Sequence, residues 1–231
     1  MRKIVFAFCV IYSTIANSQE STLNRPDIPG ELMIDIGLNY WNETPEDLNQ
    51  RGWPSKSVGL YYSKRKIFGS KLSFNYGLGL GLEKIDLGEN NTLFSQNDDV
   101  SIDDFPFDIS ESPISKNRLA ITYIDIPIDF RFHPKGTEDG EGLFIGVGAI
   151  VGLRLSSHMK WKYPEDGEDV VLKTRGAYDL NPFRYGFQIR AGFKGTHFFF
   201  KQYLSEMFNS GIDDTNVNPQ MTTIGINFTG F

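Results

Sequence analysis

The stretch Leu72-Ser-Phe-Asn-Tyr-Gly-Leu-Gly-Leu-Gly-Leu-Glu83 constrains this chain more than any other. Even positions from Leu72 to Leu82 are Leu, Phe or Tyr, and odd positions from Ser73 to Glu83 are Ser, Asn, Gly or Glu. Successive side chains of a strand point to opposite faces, so the pattern describes one apolar face and one small or polar face. The run is 12 residues long. Strands of soluble domains are typically ~5–6 residues, and a tilted strand crossing a bilayer needs ~9–11. Length and alternation together predict a transmembrane β-strand.

The N-terminus predicts export. Met1-Arg-Lys is a positive start, residues 4–15 are mostly apolar, and Ala16-Asn-Ser18 supplies small residues before Gln19. This is the pattern of a secretory signal peptide, residues 1–18, cleaved after Ser18. The apolar run is too short for a spanning helix. The chain's one cysteine, Cys9, lies inside it, so the mature domain, 19–231, has neither disulfide nor thiol chemistry. With the leader go Arg2 and Lys3, which takes the 23 basic residues to 21 against 29 acidic ones, a net charge of −8. That balance argues against nucleic acid as a partner, because phosphates need a basic surface. A barrel shows lipid only every second residue, so its mean hydropathy is low although it spans a membrane.

Eight strands are predicted, at 32–41, 57–64, 72–83, 119–132, 143–155, 183–193, 196–205 and 221–228. In the seventh, Phe198-Phe-Phe200 leaves the phase open. Connections alternate between long (42–56, 84–118, 156–182, 206–220) and short (65–70, 133–142, 194–195). Outer-membrane barrels have short periplasmic turns and longer extracellular loops, and an even strand count puts both termini in the periplasm. The fold class expected is therefore all-β, an eight-stranded antiparallel up-and-down transmembrane β-barrel. A lipocalin-like soluble barrel shares the strand number but would turn its apolar face inward.

The segment Tyr123-Ile-Asp-Ile-Pro-Ile-Asp-Phe-Arg-Phe132 resembles the Tyr-Leu-Glu-Ile-Pro-Leu-Leu-Leu-Lys-Tyr segment of PorT-like outer-membrane β-barrel proteins, and Tyr-Gly-Phe-Gln-Ile-Arg-Ala-Gly-Phe at 185–193 is similar to a neighbouring strand there. The resemblance implies an outer-membrane barrel of about eight strands in a Gram-negative envelope. The name-giving member is tied to protein secretion across the outer membrane, so envelope or secretion proteins are the partners it implies, beside outer-membrane lipid. Pro127 conflicts with a continuous ladder, since proline cannot donate to it; a local bulge or an unpaired carbonyl is expected there. Phe231 is aromatic but out of phase with Ile224, Ile226 and Phe228, so Gly230 hosts a bulge or Phe231 lies just past the strand.

Charges expected to face the lumen are Asp35, Asp125, Asp129, Arg131, Arg154, Arg184 and Arg190, with Lys201 as a further candidate. Two readings follow: a charged channel or binding site, or ion pairs plugging a narrow barrel, which eight strands leave little more than room for. Ser156-x-His158 would share one face at the outer end of a strand, the placement a rim-located lipid-modifying enzyme would use, but no acid partner is identifiable. His133, His158 and His197 lack the spacing of a zinc site. The connection 84–117 holds eight acids, and a divalent cation at Asp98, Asp99, Asp103 and Asp104 competes there with a plain solvated loop. No cofactor motif is present. The reading is a non-enzymatic barrel with a structural or interaction role in the envelope, secretion support being the role the resemblance implies; a small-solute channel or a rim enzyme is the alternative.

Overall fold

The computed structural model describes residues 30–43, 50–88, 92–96, 99–103, 114–136, 142–165, 167–193, 195–212 and 217–230. The leader 1–18 and Phe231 lie outside them. The strands are β1 (Glu31–Asn42), β2 (Arg51–Phe68), β3 (Leu72–Asp86), β4 (Thr92–Gln96), β5 (Asp99–Asp103), β6 (Lys116–Phe132), β7 (Phe144–Glu165), β8 (Glu168–Arg175), β9 (Phe183–Phe193), β10 (Thr196–Tyr203) and β11 (Gln220–Thr229). Eight of them pair in the order β6-β3-β2-β1-β11-β10-β9-β7, and a β6–β7 ladder closes the ring. Every ladder of the ring is antiparallel. Each ring strand therefore lies beside its sequence neighbours, and no strand edge of the ring is left open.

The faces are inverted relative to a soluble barrel. In β3, Ser73, Asn75, Gly77, Gly81 and Glu83 are buried, while Leu72, Tyr76, Leu78, Leu80 and Leu82 are exposed. Ile36, Leu78, Ile126 and Val147 are all about half-exposed on the outer surface. Ten residue steps separate Leu72 from Leu82. At ~3.4 Å per step and a tilt of ~40°, they give an apolar belt about 26 Å tall, the ~25 Å a bilayer-spanning barrel presents. Phe198 and Phe199 resolve the open phase in β10: Phe198 is exposed and Phe199 is buried with His197, Lys201 and Tyr203.

Two expected loops are corrected by strand structure. β7 runs on to Glu165 and turns back as β8, so 156–175 is mostly a hairpin that continues the β6–β7 ladder beyond the ring. The reason is a one-residue slip between the Tyr123↔Arg154 and Thr122↔Ser156 pairs, which leaves Leu155 as a bulge. Beyond it the inward set restarts as Ser157, Met159 and Trp161, out of phase with Gly152 and Arg154. The connection after β3 likewise contains the β4–β5 hairpin. At Pro127, of the two expectations, the bulge is absent and the unpaired backbone position is what the ladder shows. The β3–β6 register is the same on both sides of it, but the pairs between Tyr76↔Ile128 and Gly79↔Asp125 are missing, while Pro127 stays paired to Ile150 on the β7 side. A missing N–H interrupts one ladder without shifting it.

The belt yields a direct expectation. Leu78→Arg should reduce the stability of the protein folded into phospholipid vesicles by about 2–4 kcal/mol if the site is near the midplane. An unchanged folding transition in vesicles would mean that the outer face of β3 does not meet lipid.

Candidate functional site

Sequence alternation sends a charge into the ring from most of its strands, and those charges meet. Arg190 on β9 makes a bidentate pair with Asp35 on β1, at 3.1 Å from Nη1 to Oδ1 and 2.9 Å from Nη2 to Oδ2. Lys201 on β10 reaches the same carboxylate, Nζ to Oδ2, at 2.7 Å. Arg184 grips Asp125 on β6 through Nε at 3.0 Å and Nη2 at 2.6 Å, and its Nη1 donates to Glu83 on β3 at 3.0 Å. Arg131 donates from Nε to Asp129 at 2.6 Å. Tyr61 on β2 links the two larger clusters, donating to Asp125 at 3.3 Å and accepting from Lys201 at 3.4 Å. Asp129 stands 4.0 Å from Arg190. One connected path thus runs from Glu83 to Arg131, and its charged members are four carboxylates and four cations.

Every one of those eight charged side chains is almost completely buried. Aromatic rings fill the remaining space. The Arg184 guanidinium lies between Tyr123 at 3.8 Å and Tyr203 at 4.5 Å, Lys201 sits 4.7 Å from Phe199, and Arg131 sits 4.5 Å from Phe144. Such stacking favours a desolvated cation. Room for the Arg184–Asp125 pair comes from glycine. A Cβ at Gly81 would strike both the Asp125 carboxylate and the Arg184 guanidinium, and one at Gly152 would strike Asp125 from the other side. Asn227 and Asn39 complete the polar filling, the first donating to Asp35 and the second to Glu83 at 2.8 Å. A crevice lined by Arg184, Tyr203 and Met207 has a volume of about 10 Å³, the space of one water.

Of the residues singled out in the sequence, Asp35, Asp125, Asp129, Arg131, Arg184 and Arg190 come together here. Arg154 does not join them: it keeps the inward phase of Gly152 but lies two residues nearer the loop end, where its Nη1 donates to Ser157 at 3.0 Å and to the Ala177 carbonyl at 3.4 Å. Glu83 escaped notice because it closes the alternating run and reads as its boundary. Tyr61 carries no charge to draw attention. His133, just past the end of β6, and His197 in β10 each approach the Phe144 ring, at 5.8 and 5.2 Å. Among the described residues no group of carboxylates, histidines or cysteines is arranged to hold a metal. Asp99 and Asp103 are the ends of β5, and Asp98 and Asp104 lie outside the described residues.

The loop end of the ring is stoppered by apolar packing. Leu87, Leu93, Leu180, Phe208 and Ile212 are fully buried with Trp41, Met159 and Trp161 in one cluster. Trp161 donates to Thr92 at 2.8 Å and Thr92 to Asn117 at 2.9 Å, which ties β4 to the strands beneath it. Leu180 and Phe208 form a backbone bridge across the mouth.

Residues 17–212 match the family model of the outer membrane protein beta-barrel domain. No curated protein matches the chain. Among solved structures it is similar to Ail, the attachment invasion locus protein of Yersinia pestis, at 13% identity over 88% of this chain and 100% of that one, with a TM-score of 0.35. The complex of Ail with the heparin analogue sucrose octasulfate gives 12% identity over the same shares and a TM-score of 0.33. A triple-mutant porin of Rhodopseudomonas blastica gives 10% identity over 87% of this chain and 98% of that one, with a TM-score of 0.20.

Removing one member of a buried pair strands its partner, at a typical cost of about 3–5 kcal/mol. Asp125→Asn and Arg184→Gln should each lower the unfolding transition of the detergent-solubilised protein. The double variant should lose clearly less than the sum of the two, since both remove the same interaction. Additive losses in that double-mutant cycle would show that the two groups do not act as a pair.

Proposed function

The chain belongs to the outer membrane protein beta-barrel family, and from that premise we propose that it is a non-conducting, non-enzymatic barrel with a structural and interaction role in the envelope. The observation that carries this reading is the lumen: a charge-balanced set of ion pairs and aromatic rings fills it, and an apolar cluster stoppers its loop end. A conducting pore needs a continuous wet path, and small barrels packed with side chains lack one. In this reading residues 1–18 direct export, the long connections face the cell surface, and both termini and the short turns face the periplasm. β1 begins, and β11 ends, at the same end of the ring as the turns between β2 and β3 and between β9 and β10, in keeping with that topology. Partner recognition then falls to the loops and turns. The PorT-like segment at 123–132 makes proteins of a secretion apparatus the first partners to test.

The enzyme alternative loses its main support at His158. Ser156 and His158 do share the outer face of β7, paired to Thr122 and Ala120. Burial first, and then the neighbouring Lys173, Arg175, Lys160 and Lys84, hold the imidazole's pKa below the usual value. A catalytic histidine needs a carboxylate or carbonyl to orient it and stabilise its protonated form; a ring of cations does the opposite.

Two measurements test the proposal. In planar bilayers the protein should give no stable, ion-selective conductance, and conductance altered by Asp125→Asn or Arg190→Gln would establish the channel instead. Protease added to intact cells should cut within 89–113 or 213–216 and spare 69–71 and 137–141; cutting only at the short turns would invert the topology.

A further inference from the structure

Directly above the apolar belt, the outer face of β3, β6, β7 and β8 turns basic. In β3 the outward series Leu78, Leu80, Leu82 is followed by Lys84. Cross-strand register sets Lys84 opposite Ala120, Ala120 opposite His158, and His158 opposite Arg175. Two residues further from the belt, the row is Asp86, Arg118, Lys160, Lys173, and beyond it Lys116 faces Lys162. Facing residues on neighbouring strands are ~4.5–5.5 Å apart, so these cations crowd one surface. Seven Lys and Arg stand in these rows. The carboxylates beside them are occupied: Asp86 holds Arg118 at 2.9 Å and Arg51 at 2.6 Å, and Asp169 holds Lys162 at 2.5 Å. Lys84, Lys160, Lys173 and Arg175 have no ion pair among the described residues. Their mutual repulsion is felt: burial, then Lys173, Lys116, Arg118 and Lys84, holds the Lys160 ammonium below its usual pKa.

This concentration runs against the chain as a whole, whose net charge is −6. Like charges facing each other across strands destabilise a sheet unless something neutralises them. Height above the belt identifies what. Trp53, 79% exposed, stands in β2 between Arg51, which pairs with Asp86, and Lys56, which pairs with Lys84. Tryptophan concentrates at the level of lipid headgroups. The basic rows therefore begin where the hydrocarbon ends.

We propose that this face is a docking surface for the phosphate-bearing headgroups of the leaflet on the loop side, its four unpaired cations holding phosphorylated lipid while Leu80, Leu82 and Ile126 meet the acyl chains. Assigning that leaflet to the cell surface rests on the topology above; the docking itself does not.

The test uses the folded mature chain in phosphatidylcholine nanodiscs doped with bisphosphorylated lipid A or with the same lipid after dephosphorylation. Native mass spectrometry counts the lipid A retained, and the thermal transition is read in parallel. The wild-type protein should retain the phosphorylated form, lose the dephosphorylated one, and unfold at a higher temperature with the former. Lys84→Gln/Lys160→Gln/Lys173→Gln/Arg175→Gln should weaken retention by about tenfold or more, since each cation near an anionic surface contributes to binding. Lys64→Gln/Lys66→Gln, at the turn end of β2, should leave it unchanged, and a heat-dependent gel shift establishes that each variant is folded. Equal retention of both lipids by the wild type would overturn the proposal even if the fourfold variant failed to fold. So would equal losses in the two variants, or a soluble sulfated oligosaccharide binding this face with no preference for phosphorylated lipid.

Discussion

Eight charged side chains share a lumen too narrow to hydrate them, and the arrangement of the protein follows from how they are neutralised. Moving an isolated charge out of water costs several kcal/mol even after relaxation, and a low-dielectric interior repays it only through close, well-directed partners. Here Arg190 presents two donors to both oxygens of Asp35, and Arg184 does the same to Asp125 while keeping a third donor for Glu83. Planar, forked recognition of a carboxylate is what arginine does and lysine cannot. Each pair bridges strands far apart in sequence, β1 to β9 and β6 to β9. The network is therefore also the brace across the ring, in a protein without a conventional apolar core at this level.

Outside, the demands reverse. The surface that water would reject is continuous around the ring, from Ile36 through Leu78 and Ile126 to Val147. Water-facing monomers rarely expose a patch of that extent, whereas lipid requires it. The apolar packing that a soluble domain would place at its centre is moved to the loop end, where Trp41, Leu93, Phe208 and Ile212 close the mouth. Polar filling within the belt and apolar filling above it make two stoppers in series. A function carried by the outer surface and the loops is consistent with both.

Much of this was legible in the sequence because the period of a strand is two and the rule is strict. Alternation located all eight ring strands and assigned Asp35, Asp125, Asp129, Arg184 and Arg190 to one face. It failed where the period itself breaks. The Leu155 bulge shifts β7 by one residue, so the polar residues beyond it read as a loop when they continue as a hairpin with β8. Arg154 has the right phase but the wrong height: it bonds Ser157 and the Ala177 carbonyl at the loop end instead of the network below. Phe198-Phe-Phe200 carries no phase of its own, and only pairing with β9 and β11 sends Phe199 inward. Which cation meets which carboxylate depends on strand stagger around the ring, and that is invisible in one dimension. The basic face was missed for the same reason: Lys84, Lys160 and Lys173 are scattered in sequence and become neighbours only through register.

The central claim is that the lumen charges are paired and dry. Solid-state NMR of the isotopically labelled protein in lipid bilayers tests it at the atoms concerned, by through-space transfer between arginine guanidinium nitrogens and aspartate carboxyl carbons, and by exchange of the guanidinium protons with deuterated water. The account predicts strong Arg190–Asp35 and Arg184–Asp125 transfer, with guanidinium protons that exchange far more slowly than those of free arginine at the same pH and temperature. Absent transfer, together with lumen guanidinium protons exchanging as fast as those of free arginine, would mean a hydrated interior and would contradict it.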